Sequence, residues 1–310
     1  MKHIIITGAG GLVATELIFL LLKKTDARLY LLSTHEDVIS ERYKDYCDRV
    51  CCFTLRSFST YVLSTDEQFD VCIHTAFSRS SEGHRISESI DYLKALISLL
   101  KQSSLKYFVN ISSQSIYGKN SGLMSTEATP INPDYLYAMG KYLSEIVTEL
   151  MLDGTEIKWT NIRLCSVCEN ARFIRIFVQN AISGDKIVLS APDQKVSFID
   201  VRDVADALVA LIYHTDSEDL APVYNLGANL VNTIKEIAVI VKTIGESEYG
   251  LDDIDIVIES SSNTNCIGMD ASLFMSTFSW HPKRDIKDMA KSLYEMMLAQ
   301  NGGGTLLALK

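Results

Sequence analysis

The chain has 310 residues, 47% of them apolar and 22% charged, which is enough for a sizeable core under an ordinary polar surface. Its 29 basic and 39 acidic residues leave a net charge of −10 with no basic run, which argues against a nucleic-acid partner or an anionic membrane surface. The apolar stretch Leu17–Leu22 is far too short to span a bilayer.

In chain order, Met1-Lys2-His3 leads straight into the apolar run Ile4-Ile5-Ile6, so no secretory leader is expected. Strands are predicted at Ile4–Thr7, Leu29–Leu32, Val50–Phe53, Val71–His74, Tyr107–Ile111 and Trp159–Leu164. Helical periodicity covers Leu12–Lys23, about Arg85–Lys101, and Tyr137–Leu152. This alternation predicts a parallel sheet covered on both faces, and runs such as Ile4-Ile5-Ile6 suit such strands.

After Leu164 the regular alternation stops. A helix is predicted from about Phe173 to Ser183, then a strand at Ile187–Leu189 and another near Val196–Val201. A helix Val204–Tyr213 follows with Asp203 as its N-cap, then a strand Tyr224–Leu226, a helix Thr233–Thr243 and a last helix from about Asp285 to Ala299. The fold class expected is α/β, a Rossmann-type doubly wound parallel sheet with a smaller C-terminal α+β lobe.

Seven cysteines, an odd number without framework spacing, point to free thiols in a reducing cytoplasm. Cys165 and Cys168 form a C-x-x-C, yet Ile162–Val167 reads as a strand and no second pair lies nearby. Core packing is favoured over metal or redox chemistry, and no metal site is expected.

Thr7-Gly8-Ala9-Gly10-Gly11-Leu12-Val13-Ala14 joins the first strand to the first helix. A dinucleotide pyrophosphate needs such a turn: Gly8 allows the bend, Gly11 lets the backbone approach, and the helix start offers amides and a positive dipole end. Ala14 keeps helix and strand close. The second strand ends in Ser33-Thr34-His35, where an NAD site usually has an acid for the ribose hydroxyls. Ser33 removes the charge that would repel a 2′-phosphate, so the reading leans to NADP over NAD. Glu36 and Asp37 just beyond, and the lack of a following Lys or Arg, keep NAD open.

Tyr137 and Lys141 are four residues apart on one helix face. A phenol with an ordinary pKa of about 10 becomes a usable acid or base when a nearby ammonium stabilises its phenolate. Ser112-Ser113 closes the fifth strand at the carboxyl edge, where open α/β sheets place ligands. From there Ser113 can hydrogen-bond the same substrate oxygen as Tyr137.

Together these residues resemble the extended short-chain dehydrogenase/reductases, the NAD-dependent epimerase/dehydratase group acting largely on nucleotide sugars. The resemblance runs through Gly8-x-x-Gly11-x-x-Ala14, Asp70–Ala76, Ile111–Gly118, Tyr137-x-x-x-Lys141 with Glu145, and Arg163. It continues through Phe198–Val204, Tyr224-Asn225-Leu226-Gly227 and Trp280-His281-Pro282. It implies Ser113, Tyr137 and Lys141 as the catalytic set. Gly8, Gly10, Gly11, Leu12, Val13, Ser33, Thr75 and Ala76 would hold the cofactor, together with Tyr137 and Lys141. Ser78, Ser115, Ser166 and Arg202 would touch the substrate. A homodimer through the Arg85–Lys101 and Tyr137–Leu152 helices is also implied.

On this view residues 1–164 with about 196–224 form the dinucleotide-binding domain. Residues from about 165 to 195 with 225–300 form the substrate-binding lobe, and 301–310, with Gly302-Gly303-Gly304, form a flexible tail. Departures narrow the reaction. Where dehydratases of the group carry Asp-Glu, this chain has Gln114-Ser115, and Asp91 and Ser166 stand where Asn is frequent. The function expected is NAD(P)-dependent reduction of a 4-keto group on a nucleotide sugar, with Tyr137 as proton donor. The alternatives are a 4-epimerase with tightly held NAD and, in another class, a non-catalytic NAD(P)-binding sensor.

Overall fold

The computed structural model describes residues 1–80, 82–118, 124–215, 220–259 and 266–301. The first half alternates β1 (His3–Thr7), α1 (Leu12–Lys24), β2 (Arg28–Leu32), α2 (Glu36–Arg42), β3 (Val50–Phe53), α3 (Leu55–Ser64), β4 (Val71–His74), α4 (Gly83–Leu100), β5 (Tyr107–Ser113), α5 (Leu136–Leu152) and β6 (Lys158–Leu164). The remainder comprises β7 (Ser166–Val167), α6 (Arg172–Ser183), β8 (Ile187–Leu189), β9 (Lys195–Val196), β10 (Phe198–Ile199), α7 (Val201–His214) and β11 (Val223–Leu226). After these come β12 (Asn232–Thr233), α8 (Ile234–Tyr249), β13 (Ile256–Ile258), β14 (Cys266–Ile267), α9 (Ser272–Phe278) and α10 (Ile286–Asn301).

Seven strands form one sheet in the order β3-β2-β1-β4-β5-β6-β11, with every pairing parallel. Side-chain alternation explains why helices cover both faces. Ile4, Ile6, Leu29, Leu31, Val71 and Ile73 pack with Leu17 and Leu21 of α1 and Val204, Leu208 and Leu211 of α7. Their neighbours Ile5, Tyr30, Cys72 and Phe108 pack on the other face with Phe58 of α3 and Leu93, Leu96 and Ile97 of α4. Strand order reverses between β1 and β4, and doubly wound sheets open their ligand crevice at that point.

A separate core joins α6, α8 and α10 through Ile174, Phe177, Val178, Ile237, Val241, Ile244, Leu293 and Tyr294. Short strand pairs β8–β13, β7–β10 and the trio β12-β9-β14 accompany it. Among the described residues no helix is long and apolar enough to cross a membrane.

Several local expectations need correction. The strand predicted near Val196–Val201 is two, β9 and β10, which pair with different neighbours. Asp200, not Asp203, caps α7, its carboxylate accepting from the Arg202 amide at 2.8 Å. Asp203 lies one turn in and binds the Arg284 guanidinium at 2.6 Å and the Lys283 and Arg284 amides. The short helices α2, α3 and α9 were not predicted, although Thr54 and Ser57 form a capping box at the start of α3. Of the tail expected at 301–310, Asn301 ends α10 and the rest lies outside the described residues.

Candidate active site

The glycine turn fits a dinucleotide. Gly8 has φ +68°, and a Cβ there would come within 2.9 Å of the Ala76 nitrogen and of Thr75 Oγ1. Only glycine accepts both the left-handed backbone and that approach. Thr75 Oγ1 donates to the Thr7 carbonyl at 2.7 Å, and the Ala76 amide donates to Thr7 Oγ1 at 3.3 Å, so the ends of β1 and β4 are tied together. The N-cap of α1 is Gly11, with no side-chain cap and no acid in the first turn. The leading amides of α1 are thus left for an anion. Gly11, Leu12, Val13 and Thr75 line the cleft, while Gly8, Gly10 and Ala76 shape the turn behind them.

At the end of β2, Ser33 Oγ accepts from the His35 amide at 3.0 Å. Glu36 braces the cap of α3, its carboxylate accepting from the Thr54 amide at 2.7 Å and Ser57 Oγ at 3.0 Å. Arg42, the basic residue of α2, donates to Thr15 Oγ1 at 3.4 Å. His74 is buried with Nδ1 2.9 Å from Thr7 Oγ1, and burial pulls its pKa down to about 3, so it stays neutral.

A cleft of about 850 Å³ opens at the carboxyl ends of the strands, and Ser113, Tyr137 and Lys141 share its wall. Ser113 ends β5 and caps the turn Gln114–Tyr117, its Oγ accepting from the Ser115 amide at 3.2 Å. Lys141 is buried; its Nζ donates to the Ile111 carbonyl at 2.7 Å and sits 4.2 Å from the Phe77 ring centroid. Burial draws its pKa down to about 7, with Glu145 opposing and Arg79 adding to the fall.

The expected lowering of the Tyr137 pKa by Lys141 needs correction. Burial raises the Tyr137 pKa above its ordinary value; Arg79 and the Ser113 hydroxyl oppose this, and Tyr135 adds to it. Nζ is instead held by a backbone carbonyl. Arg79, which lines the same cleft and opposes the rise, was missed by sequence reasoning. Phe77 was missed as well. Its ring meets that of Tyr137 edge-on at 6.0 Å and lies against Lys141. The available signal was position, since both residues follow β4 at the carboxyl edge of the sheet.

Beneath Lys141 a buried network fixes α5 to the sheet. Arg163 donates to both Glu145 carboxylate oxygens, the shortest bond being 2.8 Å, and to Tyr117 Oη at 2.9 Å. Tyr117 Oη in turn donates to Asn225 Oδ1 at 2.7 Å. Removing one partner of such a pair leaves a buried charge uncompensated, so the network specifies where Lys141 stands.

The residues expected at the substrate divide. Ser115 and Ser166 line the cleft, joined by Gln114, which sequence reasoning had read only as the absence of an acid. Ser78 and Arg202 are not in the cleft wall. Ser78 Oγ accepts from the Ser80 amide, and Arg202 is held by Asp200 and, at 2.9 Å, by Ser292 Oγ. Asp91 is exposed on α4 with Lys94 3.8 Å away. Cys165 and Cys168 are buried free thiols, and Cys165 Sγ donates to the Ser197 carbonyl at 3.2 Å.

The doubly wound sheet, the glycine turn and the Ser-Tyr-Lys set define a dinucleotide-dependent enzyme of the extended short-chain dehydrogenase/reductase type. Residues 4–227 match the NAD dependent epimerase/dehydratase family, and the chain belongs to that family. A UDP-glucose 4-epimerase of Lactobacillus helveticus is 23% identical over 256 residues, covering 73% of this chain and 76% of the relative. Among solved structures, the UDP-glucuronic acid 4-epimerase of Bacillus cereus in complex with NAD superposes with a TM-score of 0.80 at 17% identity. That match covers 99% of this chain and 100% of the other. The UDP-Glc/GlcNAc 4-epimerase of Campylobacter jejuni gives a TM-score of 0.79 at 20% identity, over 95% and 98% of the two chains. At these identities the structural matches show the fold.

Proposed function

We propose that the chain is a UDP-sugar 4-epimerase that keeps NAD bound, with Ser113, Tyr137 and Lys141 as its catalytic set. The observation that carries the reading is the meeting of these side chains on one cleft wall, with the uncapped start of α1 on the same cleft. The names of the similar proteins favour epimerisation over the simple 4-keto reduction expected from the sequence.

Gly8–Val13 and the first amides of α1 would hold the pyrophosphate of NAD. When bound, NAD supplies a hydride acceptor that returns the same hydride. Ser113 holds the oxygen on the sugar's C4. Tyr137 takes that oxygen's proton as the C4 carbonyl forms, and gives it back when the carbon is reduced from the opposite face. Lys141 would hold the nicotinamide ribose by donating from Nζ, which also donates to the Ile111 carbonyl. Gln114 and Ser115 contribute no carboxyl group, so water is not eliminated from the sugar.

The NADP lean rested on Ser33. The Ser33 hydroxyl accepts from the His35 amide and Arg42 donates to Thr15 Oγ1, so among the described residues no cation is bonded at Ser33. NAD is therefore favoured. The second reading, a 4-keto reductase using NADPH, keeps one observation on its side: no carboxylate occupies position 33.

The division into a dinucleotide-binding domain (1–164 with about 196–224) and a substrate-binding lobe (about 165–195 with 225–300) is part of the same proposal. So is a homodimer, because Leu136, Met139, Leu143 and Leu150 leave an exposed apolar stripe on α5. The free cysteines suit the cytoplasm. Identifying the nucleotide released when the purified protein is denatured tests the reading. Near-stoichiometric NAD is expected; NADP, or none, would overturn the claim of retained NAD.

A further inference from the structure

We infer that Gln114 is a positioning residue that fixes Ser166 as a hydrogen-bond donor to the nucleotide sugar. This rests on the nucleotide-sugar reading of the cleft and adds a residue to it. Gln114 follows Ser113 directly, and the residue is 9% exposed. Its Nε2 donates to Ser166 Oγ at 2.7 Å, bridging the end of β5 to β7 across the cleft floor.

A hydroxyl has one proton and two lone pairs. With one lone pair of Ser166 taken by the amide, the proton must turn away from Gln114. Among the described residues no acceptor is bonded to it, and Ser166 lines the cleft. Donating to an oxygen that itself donates strengthens both bonds.

The floor around this pair is polar and incompletely satisfied. Ser112 Oγ, Gln114 Oε1 and Ser115 Oγ are all buried without a hydrogen-bond partner. Groups left so within a native protein call for a polar ligand or ordered water, because a buried polar group without a partner is costly. All three residues line the cleft beside Ser113. The serine hydroxyls fit a ligand presenting acceptor oxygens close to the reacting carbon, while Gln114 Oε1, which can only accept, is left to ordered water.

A carboxamide at position 114 serves this purpose and a carboxylate does not. Glutamate is nearly isosteric but can only accept when ionised, so it would draw the Ser166 proton toward itself and reverse the bond. Gln114 thus sets the direction of a hydrogen bond as well as filling space.

The test is calorimetric titration of the NAD-loaded enzyme with UDP-glucose, UDP-N-acetylglucosamine and UDP-glucuronate. Against whichever the wild type binds, Gln114→Ala should weaken affinity about 2–10-fold, the effect of one neutral hydrogen bond. Gln114→Glu should weaken it at least as much despite its shape. Ser166→Ala should match Gln114→Ala, and adding Gln114→Ala to Ser166→Ala should cost nothing more. In turnover, KM should rise while kcat holds.

Wild-type affinity in Gln114→Glu, or additive losses in the double variant, would overturn the inference alone. If Gln114→Glu fails to fold, the Ser166→Ala pair decides. Failure of the wild type to bind any of the three sugars would overturn the nucleotide-sugar reading itself, and the inference with it.

Discussion

At the cofactor end of the cleft, one unbroken segment does most of the building. Thr7 to Val13 supplies the bend, the close approach and the helix start, and its neighbours Thr75 and Ala76 brace it from β4. At the end proposed for the sugar, Gln114 and Ser115 come from the turn after β5, Ser166 from β7, and Phe77 and Arg79 from the loop after β4. The first end presents the uncapped leading amides of α1 beside a braced glycine turn, whereas the second has buried oxygens without partners. Pyrophosphate recognition is a backbone task with one good local solution. Sugar recognition is a side-chain task shared among distant segments. A sequence records the first in a single motif and scatters the second.

Three substitutions probe that contrast. The largest effect is expected where the two ends meet. Tyr137→Phe keeps the ring and removes the proton carrier, so turnover should fall by about 10²–10⁴-fold while NAD affinity stays near wild type. Steady-state kinetics and an NAD titration together check this. Retained turnover would remove Tyr137 from the chemistry and revive the non-catalytic sensor.

A smaller effect belongs to the cofactor end alone. Gly8→Ala places a Cβ against the Ala76 nitrogen and Thr75 Oγ1 at a backbone with φ +68°. Strain of roughly 1–3 kcal/mol should lower the melting temperature and weaken NAD binding together. Wild-type NAD affinity in this variant would show that the turn is less demanding than its geometry implies.

The smallest belongs to the sugar end, through Glu169, which precedes the cleft-lining Asn170 and Ala171. Its carboxylate accepts from the Val201 amide at 3.2 Å, and burial raises its pKa to about 7, with Asp200 raising it further and Arg202 opposing. A folded pKa above the unfolded value of 4.5 gives stability that is complete below about pH 4.5 and lost as pH rises through about 7. Glu169→Gln should flatten that decline and leave the protein more stable above pH 7 by on the order of 1 kcal/mol, after allowing for solvent screening. Denaturation curves across this range that run parallel for the two proteins would contradict it.

The same contrast decides what was legible beforehand. The strands of the first half carry nearly continuous apolar runs, so Ile4–Thr7, Val50–Phe53 and Val71–His74 were placed within a residue. Tyr137, Lys141 and Ser113 were singled out because spacing on a helix and position at a strand end are local facts, and the structure places all three on one cleft wall. Asp203 was mistaken for a cap because two acids flank Val201 and Arg202, and only the packing of Arg284 against Asp203 separates their roles. Arg79 was missed because its influence on Tyr137 depends on two segments nearly sixty residues apart meeting in space. The direction of the Tyr137 shift was misjudged for a related reason. Four-residue spacing puts an ammonium on the same helix face, but the Ile111 carbonyl determines where it points.

The central claim is that this cleft oxidises and re-reduces one sugar carbon with the same retained cofactor. The most direct measurement is proton NMR of UDP-glucose, UDP-N-acetylglucosamine or UDP-glucuronate incubated with the enzyme and no added reductant, while absorbance at the NADH band is followed. The account predicts that at least one sugar interconverts with its C4 epimer and that no net NADH accumulates. No inversion of any of them, together with stoichiometric NADPH consumption on a 4-keto nucleotide sugar, would contradict it.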